Sequence, residues 1–210
     1  LIQNQSEKQE LEIEIYSQDL VVAKGSCKVN LVQRKNKEVV LLKDFQSGNG
    51  KLWSPEQPFL YTVKLFLKEE NKLVDKVDSY FGMRKISINN GRIELNNMPY
   101  YMKLVLDQGY YPASLLTAPT DEDLKRDIEL TKEMGFNGVR KHQKVEEPRY
   151  LYWADRLGIL VWGEMANSHT FTDKAIKRIS SEWQEAIERD YNHPSIIAWV
   201  PINESWGVPR

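Results

Sequence analysis

Phe136-Asn137-Gly138-Val139-Arg140, then Pro148 to Gly158, then Ile159-Leu160-Val161-Trp162: these three pieces decide the fold. The first is a short strand candidate. The second opens on Pro148, which suits the first turn of a helix. It carries Leu151, Ala154 and Leu157 at inward spacing and is followed by Gly158. The third is an apolar run that reads as a buried strand. Upstream, Tyr101 to Leu106 is another mostly apolar run. Thr120 to Met134 reads as a helix, with Thr120 as its cap and Asp121, Glu122 and Asp123 at the positive end of the dipole. Leu124, Ile128 and Met134 are its expected inner side, and Gly135 its stop. Downstream, a helix is expected from about Thr172 to Tyr191, with Ile176, Ile179, Trp183 and Ile187 as its apolar stripe. Pro194 then precedes Ile196-Ile197-Ala198-Trp199-Val200, a fourth apolar strand.

Strands alternating with helices predict a parallel sheet built from right-handed crossovers. Apolar runs buried on both faces fit a barrel or a doubly wound sheet. The Gly-x-Gly-x-x-Gly fingerprint of dinucleotide folds is absent. Polar residues gather where the strands end: Asp107, Arg140 with His142, Glu164, and Asn203 with Glu204. A (β/α)₈ barrel carries its chemistry at those ends and takes about 250 residues. Residues 89–210 hold four strands, so about half a TIM barrel is expected.

Residues 1–88 follow a different grammar. Leu11, Ile13 and Ile15 alternate with charged neighbours, and Tyr61, Val63, Leu65 and Leu67 alternate again. Gln46 to Gly50 and Asn71-Lys72 are turn clusters. Antiparallel strands in a β-sandwich are the expectation. Asn89-Asn90-Gly91 and Asn96-Asn97 flank Ile93 and Leu95 as turn signals of a hairpin.

Composition narrows the function. The 210 residues carry 29 Lys and Arg against 30 Asp and Glu, a net charge of −1, with 41% apolar residues. That balance is globular and points away from disorder and from nucleic acid. No apolar run approaches a membrane span. A single cysteine, Cys27, rules out an internal disulfide and a multi-cysteine zinc site, and three scattered histidines argue against any metal centre. No cofactor is expected. The chain starts on Leu1 without a signal-peptide pattern, which reads as a piece of something longer. Together with the lone cysteine, this favours the cytoplasm.

Glu204 stands out among the candidates. It follows the fourth strand in Asn203-Glu204-Ser205-Trp206-Gly207. A carboxyl group beside Trp206 and Trp199 sheds water, which suits a general acid. The plain alternative is a solvated loop glutamate.

Leu52-Trp53-Ser54-Pro55-Glu56 with Pro58, Leu60 and Tyr61 resembles the immunoglobulin-like domain of glycoside hydrolase family two. Tyr80-Phe81-Gly82-Met83-Arg84-Lys85 is similar to that family's domain junction. Asp107-Gln108-Gly109-Tyr110-Tyr111-Pro112, Gly138-Val139-Arg140 and Asn203-Glu204 resemble its barrel signatures, in the correct order. The resemblance implies an immunoglobulin-like sandwich over residues 1–88 and the N-terminal half of a catalytic barrel over 89–210. It implies a retaining glycosidase of carbohydrate metabolism, β-galactosidase-like, acting on O-glycosidic bonds. Glu204 would be the acid/base and Asn203 a ligand of the sugar 2-hydroxyl. The family's nucleophile, a glutamate on strand seven, would fall outside these residues, so the 210-residue chain alone is expected to be inactive.

The remaining candidates carry two readings each. Asp107 could hold sugar hydroxyls or cap a turn. Arg140 could orient Glu204 or another carboxylate through its fork of donors, a network role favoured over direct sugar contact. His142 could touch substrate or pack, since the family's histidine stands one residue away. Glu164 neighbours the fourth strand and could approach the ~5–5.5 Å of a retaining pair, but it reads first as a substrate or network carboxylate. His193 reads as a turn residue. Of the six tryptophans, Trp153, Trp162, Trp183 and Trp199 read as packing, and Trp206 as a pocket wall. The chain departs from the family at Lys103-Leu104, where Arg-Gly is usual; lysine loses the bidentate fork and leucine adds bulk. The competing function is a non-catalytic carbohydrate-binding or interaction module on the same scaffold. A third reading is an excised piece without activity of its own. A half barrel would leave two unpaired edges, and self-association or partial disorder is expected from them.

Overall fold

The computed structural model of the chain describes residues 9–29, 38–42, 50–168, 170 and 172–204. The chain divides into two compact units, one of Leu1–Lys51 with Leu60–Phe81 and one of Leu52–Phe59 with Gly82–Arg210.

The first unit contains β1 (Gln9–Ser17), β2 (Leu20–Val29), β3 (Tyr61–Glu69) and β4 (Lys72–Phe81). They form an antiparallel sheet in the order β2-β1-β3-β4. Ile13 pairs with Leu65 and Ile15 with Val63, so the two alternating runs read from the sequence share one face. Glu70 and Asn71 both have positive φ, the backbone of a tight hairpin turn between β3 and β4. The turn cluster over 46–49 lies outside the described residues.

The second unit holds β5 (Ile86–Asn89), β6 (Arg92–Leu95) and β7 (Met98–Pro99), a small antiparallel sheet. Asn90 and Gly91 turn the first hairpin at positive φ, and Asn96 and Asn97 the second. After it come β8 (Leu104–Asp107), α1 (Asp121–Glu133), β9 (Gly138–Lys141), α2 (Pro148–Leu157), β10 (Leu160–Glu164), α3 (Asp173–Asp190) and β11 (Ile196–Val200). Strands β8 to β11 lie side by side in chain order and pair in parallel. Four sequential parallel strands joined by three helices supply half the strands of a TIM barrel. Among the described residues, β8 and β11 are the edges of this sheet.

The caps follow the sequence. Thr120 accepts from the Asp123 N–H at 3.2 Å and Thr172 from the Ala175 N–H at 3.2 Å. Gly158 ends α2 in the left-handed region, where a Cβ would lie 2.4 Å from the Pro55 carbonyl oxygen. Three expectations need correction. Met134 is exposed rather than inward; it occupies the C-cap of α1, and Thr131 completes the buried side with Leu124 and Ile128. Ile176 is also exposed, because the stripe of α3 starts from Ala175 and runs through Ile179, Trp183, Ala186, Ile187 and Asp190. The strand expected from Tyr101 begins at Leu104, since the Tyr101 carbonyl and the Lys103 N–H pair with the Asn137 side chain.

The core lies between the sheet and its helices. Val139 and Val161 meet Ile128, Leu124, Tyr150, Leu151 and Ala154. The unusual Leu104 has a counterpart across the ladder. It is registered with Gly138, where a Cβ would lie 2.2 Å from the Leu104 Cδ2. The glycine of β9 thus accommodates the leucine of β8. Trp53 is fully buried, its indole N–H donating to the Asp155 carbonyl at 2.8 Å. The Arg84 guanidinium donates to the carbonyls of Pro194 and Ile196, anchoring the junction motif to the start of β11.

Candidate functional site

Successive residues of a strand face opposite sides of its sheet. At the end of β9, Arg140 and Lys141 therefore point into different surroundings, and each organises a separate polar network.

Arg140 shares its side with Glu164 and Asn203. Its Nε donates to the Glu164 Oε2 at 2.7 Å and its Nη2 to the Asn203 Oδ1 at 2.6 Å. Glu164 is fully buried, and its other oxygen accepts from the Gln143 N–H at 2.9 Å. Both carboxylate oxygens are thus engaged by donors. Asn203 is itself nearly buried. The Asn167 amide bonds both main-chain groups of Asn203, accepting from its N–H at 3.0 Å and donating to its carbonyl. Glu204 comes next, exposed, with φ of 36° in the left-handed region.

Lys141 lies on the helix side, fully buried. Its ammonium meets the Asp107 Oδ2 at 2.5 Å and the Glu146 Oε2 at 2.7 Å, and sits 3.9 Å from the centre of the Tyr150 ring. Burial alone pulls the Lys141 pKa down, but Asp107 and Glu146 more than reverse this and leave it raised. Burial, with Asp107 and Glu146 nearby, pushes the Tyr150 phenol well up. Burial likewise raises the Asp127 carboxyl beside Tyr111. Asp107 Oδ1 accepts from the Gly109 N–H at 2.6 Å, and Lys144 bonds the Gly109 carbonyl at 3.0 Å. The loop after β8 is thereby held to the loop after β9.

Of the residues singled out in the sequence, Arg140, Glu164 and Asn203 are hydrogen-bonded together, and exposed Glu204 follows Asn203 in the chain. Asp107 belongs to the Lys141 network instead. His142 is half-buried, its Nδ1 3.3 Å from the Gln108 side-chain nitrogen. Trp206 lies outside the described residues. Trp153 and Trp183 are on helices, and Trp183 packs edge-on against Trp199 at 5.6 Å. His193 turns the chain from α3 to β11, its Nδ1 2.5 Å from buried Asp155. Sequence reasoning missed Gln143, Asn167, Lys141 and Glu146. Lys141 carried a signal, a lysine in register with Val139 on a strand expected to be buried on both faces; such a charge needs partners. The two amides carried none. Among the described residues, no three His, Cys, Asp or Glu side chains gather as metal ligands, and no helix is long and apolar enough to cross a membrane.

Residues 2–84 match the family model described as Glycosyl hydrolases family 2, and residues 86–209 the model of that family's TIM barrel domain. A β-galactosidase of Vibrio vulnificus is 36% identical over 177 residues, 79% of this chain and 17% of its own length. A putative β-glucuronidase of Formosa agariphila is 30% identical over 202 residues, 91% of this chain and 23% of its own. The solved structure of a Bacteroides uniformis β-glucuronidase superposes with a TM-score of 0.77 at 27% identity, covering 93% of this chain and 24% of that one. The chain thus spans about a quarter or less of the relatives it matches.

Proposed function

The chain belongs to glycosyl hydrolases family 2, and from that premise we propose that it carries the acid/base half of a retaining β-glycosidase, with β-galactosides as the first substrate class. The observation that carries the reading is the Arg140 fork, which joins buried Glu164 to Asn203 directly before Glu204.

Glu204 protonates the glycosidic oxygen as its bond to the anomeric carbon breaks, while a carboxylate on the opposite face attacks that carbon. It then takes a proton from the water that releases the sugar. With the Asn203 Oδ1 held by Arg140, the donor end of the amide is the one offered to the sugar 2-hydroxyl. Glu164 serves as a network carboxylate, because both its oxygens are occupied by donors. The nucleophile is then supplied from outside these 210 residues, and the isolated chain does not turn over. His142 with Gln108 borders the sugar. Asp107 acts through Lys141 and Gly109 by holding the loop that follows β8.

Hydrolysis of a panel of aryl β-glycosides tests this, with the 210-residue chain and the full protein that carries it, each beside Glu204→Gln. Turnover by the full protein, lost in the variant, is the expected result. Undiminished turnover in Glu204→Gln refutes the role of Glu204. Turnover by the 210-residue chain alone refutes the external nucleophile. Sugar binding by the full protein without any turnover replaces the catalytic reading with a binding module.

A further inference from the structure

We propose that Asn167, in the loop after β10, is a positioning residue that sets the backbone of residues 203 and 204 and thereby aims Glu204. The inference rests on the reading of Glu204 as acid/base.

Strand β11 ends at Val200, and Pro201 has no N–H to continue a ladder. Asn203 therefore has no strand to pair with. The Asn167 side chain takes that place. A primary amide offers an acceptor and a donor side by side, as a neighbouring peptide does. Its Oδ1 takes the Asn203 N–H at 3.0 Å and its Nδ2 donates to the Asn203 carbonyl. The next residue, Glu204, has φ of 36°. A glutamate persists in that region only where its surroundings over-determine it. The amide clamp on the preceding peptide groups is what the structure provides.

Asn167 is itself held. Its N–H donates to the Gln143 Oε1 at 3.3 Å, and the Gln143 N–H donates to the Glu164 Oε1 at 2.9 Å. Glu164 is gripped by Arg140, and Arg140 reaches the Asn203 Oδ1. Asn203, Asn167, Gln143, Glu164 and Arg140 thus close a ring of hydrogen bonds across the ends of β9, β10 and β11. A closed, part-buried ring anchored on buried Glu164 and Asn203 has few alternative arrangements. Removing Asn167 opens it at the link nearest Glu204. The φ of Glu204 then relaxes, and the direction of its side chain changes with it.

A misaimed general acid has a signature that a merely loosened fold lacks. A phenyl leaving group needs a proton as it departs, whereas 2,4-dinitrophenolate leaves without one. The measurement is kcat/KM for phenyl and 2,4-dinitrophenyl β-glycosides, with the full protein, Asn167→Ala and Glu204→Ala. In Asn167→Ala the phenyl substrate should lose about 10–100-fold, the scale of a small misplacement of a catalytic group. The dinitrophenyl substrate should stay within about threefold, since general acid catalysis contributes little to its departure. Equal losses on both substrates, or none on either, overturn the inference. If Glu204→Ala discriminates between the leaving groups and Asn167→Ala does not, the clamp alone falls. If Glu204→Ala does not discriminate, the acid/base reading falls and the inference with it. Should Asn167→Ala not fold, Asn167→Asp keeps the acceptor, loses the donor and carries the same comparison.

Discussion

Lys141→Met removes a buried ammonium that answers two carboxylates on the helix side of the barrel half. The side chain is fully buried, with Asp107 at 2.5 Å and Glu146 at 2.7 Å. Methionine fills much of the same volume, so packing changes little. Charge is what changes. Breaking a buried pair by removing one partner costs about 3–5 kcal/mol. Here the lower end applies, because neither carboxylate is left wholly bare. Glu146 keeps Lys144 at 3.1 Å, and Asp107 keeps the Gly109 N–H at 2.6 Å. The expected loss is about 3 kcal/mol, or roughly 150-fold in the folding constant.

The assay is urea unfolding of the 210-residue chain followed by tryptophan fluorescence. All five described tryptophans belong to the second unit, so the signal reports that unit. The pH dependence has a defined sign. The Lys141 pKa is raised in the folded state, so its stabilisation is complete below the unfolded lysine value of about 10.4 and fades as pH rises through the folded value. The gap between wild type and Lys141→Met should therefore be flat from pH 7 to about 10 and close above it. Adding Asp107→Asn and Glu146→Gln to Lys141→Met should recover part of the loss, because neutral amides need no counter-charge. A loss under about 1 kcal/mol at pH 7, or a gap that widens with rising pH, refutes the reasoning.

Other changes test other links. Gly138→Ala drives a methyl against Leu104 and Leu160 and should destabilise by about 1–3 kcal/mol in the same assay; Leu104→Ala in the same chain should recover only part of this, since the contacts with the Leu160 Cβ and carbonyl oxygen remain. Thr172→Ala removes the acceptor for the Ala175 N–H and should lower stability by about 1 kcal/mol, with Thr172→Ser restoring most of it. The 210-residue chain should self-associate through the edges β8 and β11, giving a mass above monomer by light scattering that rises with concentration.

Local rules made the framework legible. Thr120, Pro148 and Gly158 each act within a turn of their own helix, so the sequence shows them directly, whereas Thr172, read only as the start of α3, is its N-cap. The apolar runs became β8, β10 and β11, while β9 was legible from Gly138 and Val139 and from its place between two helices. The misses were also local in cause. Met134 sits where α1 is already ending, and Ile176 falls one residue off the stripe that Ala175 begins. The hydrogen-bonded ring could not be read at all. Asn167 lies 24 residues from Gln143 and 36 from Asn203, and an isolated amide in a loop has no periodicity to reveal its partner.

The adjacent pair Arg140 and Lys141 shows why stability and chemistry in this segment are separable yet neighbouring. Pleating sends one cation towards Glu164 and Asn203 and the next towards Asp107, Glu146 and the ring of Tyr150. The same strand therefore fixes the loop after β8 from one face and the approach to Glu204 from the other. Arginine suits the first task, since its fork reaches a carboxylate and an amide at once; an ammonium suits the second, where a compact charge must lie between two carboxylates. Exchanging the two residues would keep the net charge and the strand, but would replace the planar fork between Glu164 and Asn203 by a point charge and crowd a guanidinium against Tyr150. Position on the pleat, rather than charge alone, is what divides the two roles.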